Sequence, residues 1–205
     1  MTRRNASDAE ALALRQLRAA KGVFRTSQAR QLGIPTKTLQ HLQDRGHVEQ
    51  LSRGVYRLAS LPAPADPDLL VVAARLPKAV LCLISALAFH DLTDEIPHVV
   101  HVALPRGAEQ PRLDHPPLHV VRLRPEPFLA GIEVHRRDGV DLRVYSPAKT
   151  VADCFRFRSL VGLETAMKAM KDLRKRRGFD PEELLRFARI DRVERIVRPY
   201  LEAIL

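Results

Sequence analysis

Several side chains in this 205-residue sequence could do chemistry, and their spacing decides which chemistry is open. Glu133, Asp138, Asp141 and Lys149 are the residue types of a metal-dependent nuclease. Such a site needs a carboxylate and a lysine two apart on a strand, so that both face one side. Asp141 is followed by Leu142 and Arg143, with no second carboxylate alternating beside it. His98, His101, His115 and His119 lack a metal-binding spacing, because strand residues three apart face opposite sides. Ser85, His90 and Asp91 sit too close along one helix to converge on a single atom, and Cys154 lies on an apolar face and reads as core. The phosphate-cradling, dinucleotide, zinc-protease and nucleophile-elbow motifs are all missing. The sequence reads as a non-enzyme that needs neither metal nor cofactor.

A second group of residues suits another chemistry. Thr36, Lys37 and Thr38 open a short segment that continues through Gln40, His41 and Arg45. With Leu39 and Leu42 setting a buried side, a helical period turns Lys37, Gln40, His41 and Asp44 outward. The N-terminal end of such a helix meets base edges first in a major groove. Glutamine can pair with adenine N6 and N7, and lysine with guanine or a phosphate. Arg25 and Arg45 add flanking cations, and Arg53 sits at a loop tip where it can enter a minor groove or grip the backbone. Each of these residues is equally compatible with the solvated face of a small helix; the set, in a basic module, points to duplex DNA.

The elements that would position these groups can be read from local signals. Ser7-Asp8-Ala9-Glu10 has the spacing of a capping box and starts a helix to about Ala20, with Leu14 and Leu17 inward and Lys21-Gly22 as its stop. Thr26 can cap a short helix over 27–32, Gly33 supplies a tight turn plugged by Ile34, and Thr36 caps a third helix ended by Gly46. Val48–Leu51 and Val55–Leu58 flank Ser52-Arg53-Gly54, which predicts a hairpin. Three helices and a hairpin make a winged helix-turn-helix.

Charge follows this module. The chain carries 34 Lys and Arg against 24 Asp and Glu, a net charge of +10. Residues 1–60 hold 11 of the cations, Arg3 and Arg4 among them, and only 4 acids, so most of the excess lies there. A polyanionic partner fits such a concentration. No apolar run is long enough for a membrane span, the N-terminus is unlike a secretory signal, and two distant cysteines suggest no disulfide framework. A cytoplasmic location is expected.

Pro62, Pro64 and Pro67 mark residues 61–68 as a stiff linker, giving modules at 1–60 and 69–205. The second module predicts helices over 69–76 and 80–91, strands over 98–104, 118–123, 132–136 and 140–145, and helices over 148–158, 163–177, 181–188 and 192–204. The fold class is therefore α+β, a winged helix followed by a mixed domain with a small sheet and C-terminal helices. Ser146 and Pro147 start a helix on which Lys149, Asp153 and Arg156 predict a structural ion-pair network. His90, near a helix C-terminus, would gain from the dipole or act as a partly buried cap. Lys168, Lys171, Arg174, Lys175, Arg176 and Arg177, against Asp172 alone, exceed what a helix dipole asks for and suggest a second basic surface.

Three stretches carry a family resemblance. Gly46-His47-Val48-Glu49 with the wing Arg53-Gly54-Val55-Tyr56-Arg57-Leu58 is similar to the winged helix of AbiEi-type antitoxins of type IV toxin–antitoxin systems. The segments 85–94 (Ser85 to Asp94) and 145–155 (Tyr145 to Phe155) resemble two later segments of those proteins, in the same order and across nearly the whole chain. Asp91 stands where the family pattern leads one to expect glycine at a helix stop.

The resemblance implies a DNA-binding autorepressor acting at inverted repeats in its own promoter. It also implies neutralisation of a nucleotidyltransferase-type toxin by the C-terminal domain, without requiring a stable complex. Two other classes stay open: a ligand-responsive repressor unconnected with a toxin, and a nuclease with a targeting wing.

Overall fold

The computed structural model describes the backbone of residues 3–20 and 22–205, with side chains from Asp8 onward except at Ala20. The chain divides into two compact units, residues 1–77 with 136–142, and residues 78–135 with 143–205.

The first unit begins with α1 (Arg3–Ala20), β1 (Val23–Arg25), α2 (Thr26–Gln31) and α3 (Thr36–Asp44). Strands β2 (Val48–Ser52) and β3 (Val55–Leu58) follow, then α4 (Pro67–Arg75). Ala13 and Leu17 of α1 bury against Phe24, Ala29, Ile34, Leu39, Leu42, Val48 and Leu58, forming one apolar core, with Leu14 at its edge. The helix-turn-helix and the wing are thus as expected. Gly33 takes a φ of 77°, a left-handed geometry that side chains resist. The wing is antiparallel, Val48 opposite Leu58, with a register shift between Gln50 and Ser52 that lets Arg53 and Gly54 make the turn.

Several local expectations shift. Helix α1 already includes Ser7, so the helix does not start at the expected capping box. The Ser7 side chain and Lys21 lie outside the described residues. Glu10 does not reach back along its own helix; its buried carboxylate pairs with Arg45 of α3. Thr26 and Thr36 are first helical residues rather than caps, and the cap positions belong to Arg25 and Pro35. At α2 the partner is Gln28, whose Oε1 accepts from the Arg25 amide at 2.7 Å. Strand β1 pairs antiparallel with β3, Phe24 opposite Tyr56, and was too short to leave a period in the sequence.

Residues 61–66 carry no helix or strand, but Pro67 and Asp68, expected in the linker over 61–68, are the first residues of α4, and the unit continues through that helix. Leu70 to Ala74 are buried, and α4 packs on all three strands of this sheet. The buried Arg57 guanidinium donates to the carbonyls of Leu61 and Pro62, which ties the connection to the wing. The first unit therefore runs to Pro77, past the module boundary expected at residue 60.

The second unit holds β4 (Val80–Leu81), α5 (Leu83–Phe89), β5 (Val100–Pro105), β6 (Leu118–Leu123) and α6 (Pro125–Leu129). Strands β7 (Ile132–Arg137) and β8 (Val140–Tyr145) come next, the tip of their hairpin being counted with the first unit. Helices α7 (Pro147–Arg156), α8 (Arg158–Val161), α9 (Leu163–Arg174), α10 (Pro181–Ile190) and α11 (Glu194–Glu202) complete the chain. Among the described residues the sheet order is β6-β5-β4-β8-β7. The helix expected over 80–91 is a short strand followed by α5, and the helix expected to reach Arg177 stops at Arg174.

Helix α7 is the centre of this unit. Every residue from Ala148 to Phe155 is buried, Cys154 included, and α5, α9 and α10 pack around it. The Ser146 hydroxyl caps it by accepting from the Lys149 amide, as read from the sequence. At the end of α5, Asp91 adopts a φ of 51°, so the expected glycine geometry is kept without glycine.

His90 is buried, and its Nε2 lies 2.7 Å from the Tyr145 carbonyl, to which it donates. Burial lowers its pKa, so desolvation outweighs any helix-dipole gain. His101 is lowered to about 4, by burial first and then by His119. Both groups stay neutral in the fold but protonate near pH 6.5 when the chain unfolds. The His101 contribution is complete above about pH 6.5 and lost on acidification towards about pH 4, and the His90 contribution weakens in the same direction. Urea midpoints should fall between pH 7 and pH 5, roughly, and His101→Gln should flatten that slope.

Candidate nucleic-acid interface

The residues expected to meet DNA lie on α3, on α2's approach and at the wing. Thr36, Lys37, Gln40, His41 and Arg45 are exposed, and Thr38 is half-buried, while Leu39 and Leu42 are buried beneath them. The outward face read from helical spacing is the exposed face. Arg53 is exposed at the wing turn and Arg25 is half-buried at the end of β1.

This face is held by contacts that separate positioning residues from free ones. Arg30 of α2 donates to the Thr36 hydroxyl at 3.2 Å, linking the two helices of the motif. Gln43 donates to Gln50 Oε1 at 3.3 Å, linking α3 to the wing. The Arg75 guanidinium donates to the Arg53 carbonyl at 2.6 Å, and the Thr26 amide to the Gly54 carbonyl at 3.1 Å. The wing turn is fixed from two sides while the Arg53 side chain extends into solvent. A rigid loop carrying an exposed cation orders little on binding, which lowers its entropic cost.

Arg45 and His41 are different. Arg45 sits 2.7 Å from the Glu10 carboxylate, and His41 Nδ1 lies 3.7 Å from the same group. Glu10 is buried, so Arg45 also has a structural duty. Arg45→Ala should lower stability by about 1–2 kcal/mol, because a buried acceptor loses its donor. Thermal unfolding would measure it, and adding Glu10→Gln should recover part of the loss. No change in unfolding temperature would mean that water replaces the guanidinium.

The expected second basic surface is partly neutralised. Lys168 pairs with Asp94, Lys175 sits 2.6 Å from Asp172, and Arg174 donates to the Leu205 carbonyl at 3.2 Å. Lys171 and Arg177 are exposed and Arg176 is half-buried. Half of the run thus serves local pairing, which spacing alone could not reveal.

Of the candidate nuclease residues, Glu133, Asp141 and Lys149 are engaged in ion pairs. Lys149 is fully buried; its Nζ lies 2.5 Å from Asp153 and 3.0 Å from Asp191. Arg136 takes Asp141 at 2.8 Å and His135 takes Glu133 at 3.0 Å. The ion-pair network expected of Lys149, Asp153 and Arg156 exists, with one change of partner. Arg156 pairs with Asp191 at 3.3 Å, and Asp191, 42 residues from Lys149, carried no signal in the sequence. Among the described residues no cluster of three metal-binding side chains occurs, and no helix is long and apolar enough to cross a membrane.

Comparisons with known proteins agree with this geometry. In the solved structures, the RV2827C protein from Mycobacterium tuberculosis matches with a TM-score of 0.52 and 16% identity. That alignment covers 95% of this chain and 79% of the other, and establishes a shared fold. No curated protein matches the chain. Residues 13–59, from within α1 through the wing, match the family described as "Transcriptional regulator, AbiEi antitoxin". The match is confined to the winged helix, which is similar to that of AbiEi antitoxin transcriptional regulators.

Proposed function

We propose that the protein is a DNA-binding autorepressor and the antitoxin of a type IV toxin–antitoxin pair, acting in the cytoplasm. The observation that carries this reading is the coincidence of two things over one segment. Residues 13–59 match the AbiEi regulator family, and the same residues present an exposed polar helix face beside a pinned cationic wing. In this reading phosphate contacts supply most of the affinity, and a few groups on α3 supply discrimination. Arg25, Thr36, Lys37, Thr38, Gln40, His41, Arg45 and Arg53 are the proposed contact residues, on inverted repeats upstream of the protein's own gene. The C-terminal unit is proposed to counteract a nucleotidyltransferase-type toxin, with or without a stable complex.

Footprinting on the upstream region tests the first half. Arg53→Ala should weaken specific and random duplexes alike. Gln40→Ala should relax preference at one base position, by about 1–3 kcal/mol. Equal weakening of specific and random DNA by Gln40→Ala would place that residue on the backbone instead. Co-expression with the neighbouring gene tests the second half. Rescue of growth by the full chain supports the antitoxin, and a neighbouring metabolic operon with no toxic product would refute it.

A further inference from the structure

One cavity of the second unit is unused by anything described above. It has a volume of about 440 Å3 and is walled by Arg124, Arg156 and Arg192, with Glu126 and Asp191. That size falls within the range of small-molecule sites. Pro125, Pro127 and Ile190 complete the wall.

The charges do not cancel. Asp191 is already compensated, by Lys149 at 3.0 Å and by Arg156 at 3.3 Å. The guanidiniums of Arg124 and Arg192 have no ion-pair or hydrogen-bond partner among the described residues. Glu126 is the one remaining carboxylate of the wall. Three guanidiniums lining one concavity repel each other unless an anion joins them.

The backbone points the same way. Arg192 follows α10 in the left-handed region, with a φ of 60°. The Arg192 amide donates to the Arg189 carbonyl and the Val193 amide to the Ala188 carbonyl, a helix end that glycine fills most cheaply. An arginine here costs about 1–2 kcal/mol of backbone strain. Arg156 is held from below by Asp191, and its guanidinium lies 5.5 Å from the Phe157 ring centre, so its fork is fixed before any ligand arrives.

We propose that this cavity is a binding site for a phosphate-bearing small molecule, with Arg124, Arg156 and Arg192 as the groups that hold its phosphoryl oxygens. A lone carboxylate would satisfy one guanidinium fork, whereas a phosphoryl group or a diphosphate offers oxygens to all three. The site stands independently of the winged helix and of any toxin.

Inorganic pyrophosphate is the probe, titrated calorimetrically into the full chain at low ionic strength. A saturable single site is expected, together with a rise in unfolding temperature. Arg192→Gly keeps the helix end and should weaken binding by at least about tenfold, as should Arg124→Ala. Thermal unfolding without ligand verifies that both variants are folded. Absence of saturation up to roughly millimolar pyrophosphate would overturn the proposal, as would parental affinity in both variants. Titration beside excess random-sequence duplex separates the two sources of phosphate. Unchanged affinity supports the small molecule, and loss of binding would reassign the cavity to a nucleic-acid backbone and overturn it.

Discussion

Raising monovalent salt from about 50 to about 200 mM should lower the affinity for the upstream duplex by about 250- to 1,000-fold. The figure comes from about five neutralised phosphates, each contributing about −0.9 to the slope of log affinity against log salt. The structure refines which cations can contribute. Arg57 is buried and paired with Glu49 at 2.9 Å, and Arg45 is paired with Glu10, so neither is a full donor of charge. Lys37 and Arg53 are exposed, and both belong to the same compact unit as α2 and the wing. Fluorescence anisotropy across a salt series measures the slope. A slope near zero would remove the electrostatic account altogether. Arg53→Ala should make the slope shallower by about one unit, since one phosphate contact is lost on every sequence.

The second large effect is on stability. Lys149→Met should destabilise the protein by about 3–5 kcal/mol, a large share of the stability of an ordinary domain. Lys149, Asp153 and Asp191 are all inaccessible to solvent, so their charges cannot be screened by water. Without the ammonium, two buried carboxylates face each other, and only Arg156 at 3.3 Å compensates one of them. One oxygen of Asp153 already lacks a hydrogen-bond partner among the described residues. Burial raises the Asp153 pKa, with the Lys149 charge opposing that rise. Loss of Lys149 raises it further, so the folded variant binds a proton that the unfolded chain releases. Its stability therefore falls as pH rises, and the deficit should be larger at about pH 9 than at about pH 7. Urea unfolding at both pH values would measure this. A combined variant that also replaces Asp153 and Asp191 by apolar residues should recover much of the loss, because uncharged packing needs no compensation. A deficit under about 1 kcal/mol in Lys149→Met would mean that water reaches the site.

The buried triad also explains the close approach around it. Gly131, with a φ of 70°, lies where a Cβ would come within 2.7 Å of the Lys149 Cβ and 2.9 Å of the Phe187 ring. The chain entering β7 can pass over α7 only because this residue has no side chain. The Gly131 carbonyl then accepts from the Ser146 amide at 2.6 Å, joining the two ends of the β7–β8 hairpin segment.

The sequence by itself determined the winged helix, its outward face and the start of α7. Helical period, a left-handed glycine and a proline at the first turn act over a few residues, so their consequences are written locally. It could not place the partners of charged groups that meet across the fold. Glu10 and Arg45 are 35 residues apart, and Lys149 and Asp191 are 42 apart. Arg124, Arg156 and Arg192 come from three separate parts of the chain to one cavity. Whether a charge is free, paired or buried depends on which surfaces the tertiary packing brings together. Period and spacing along one segment carry no record of that.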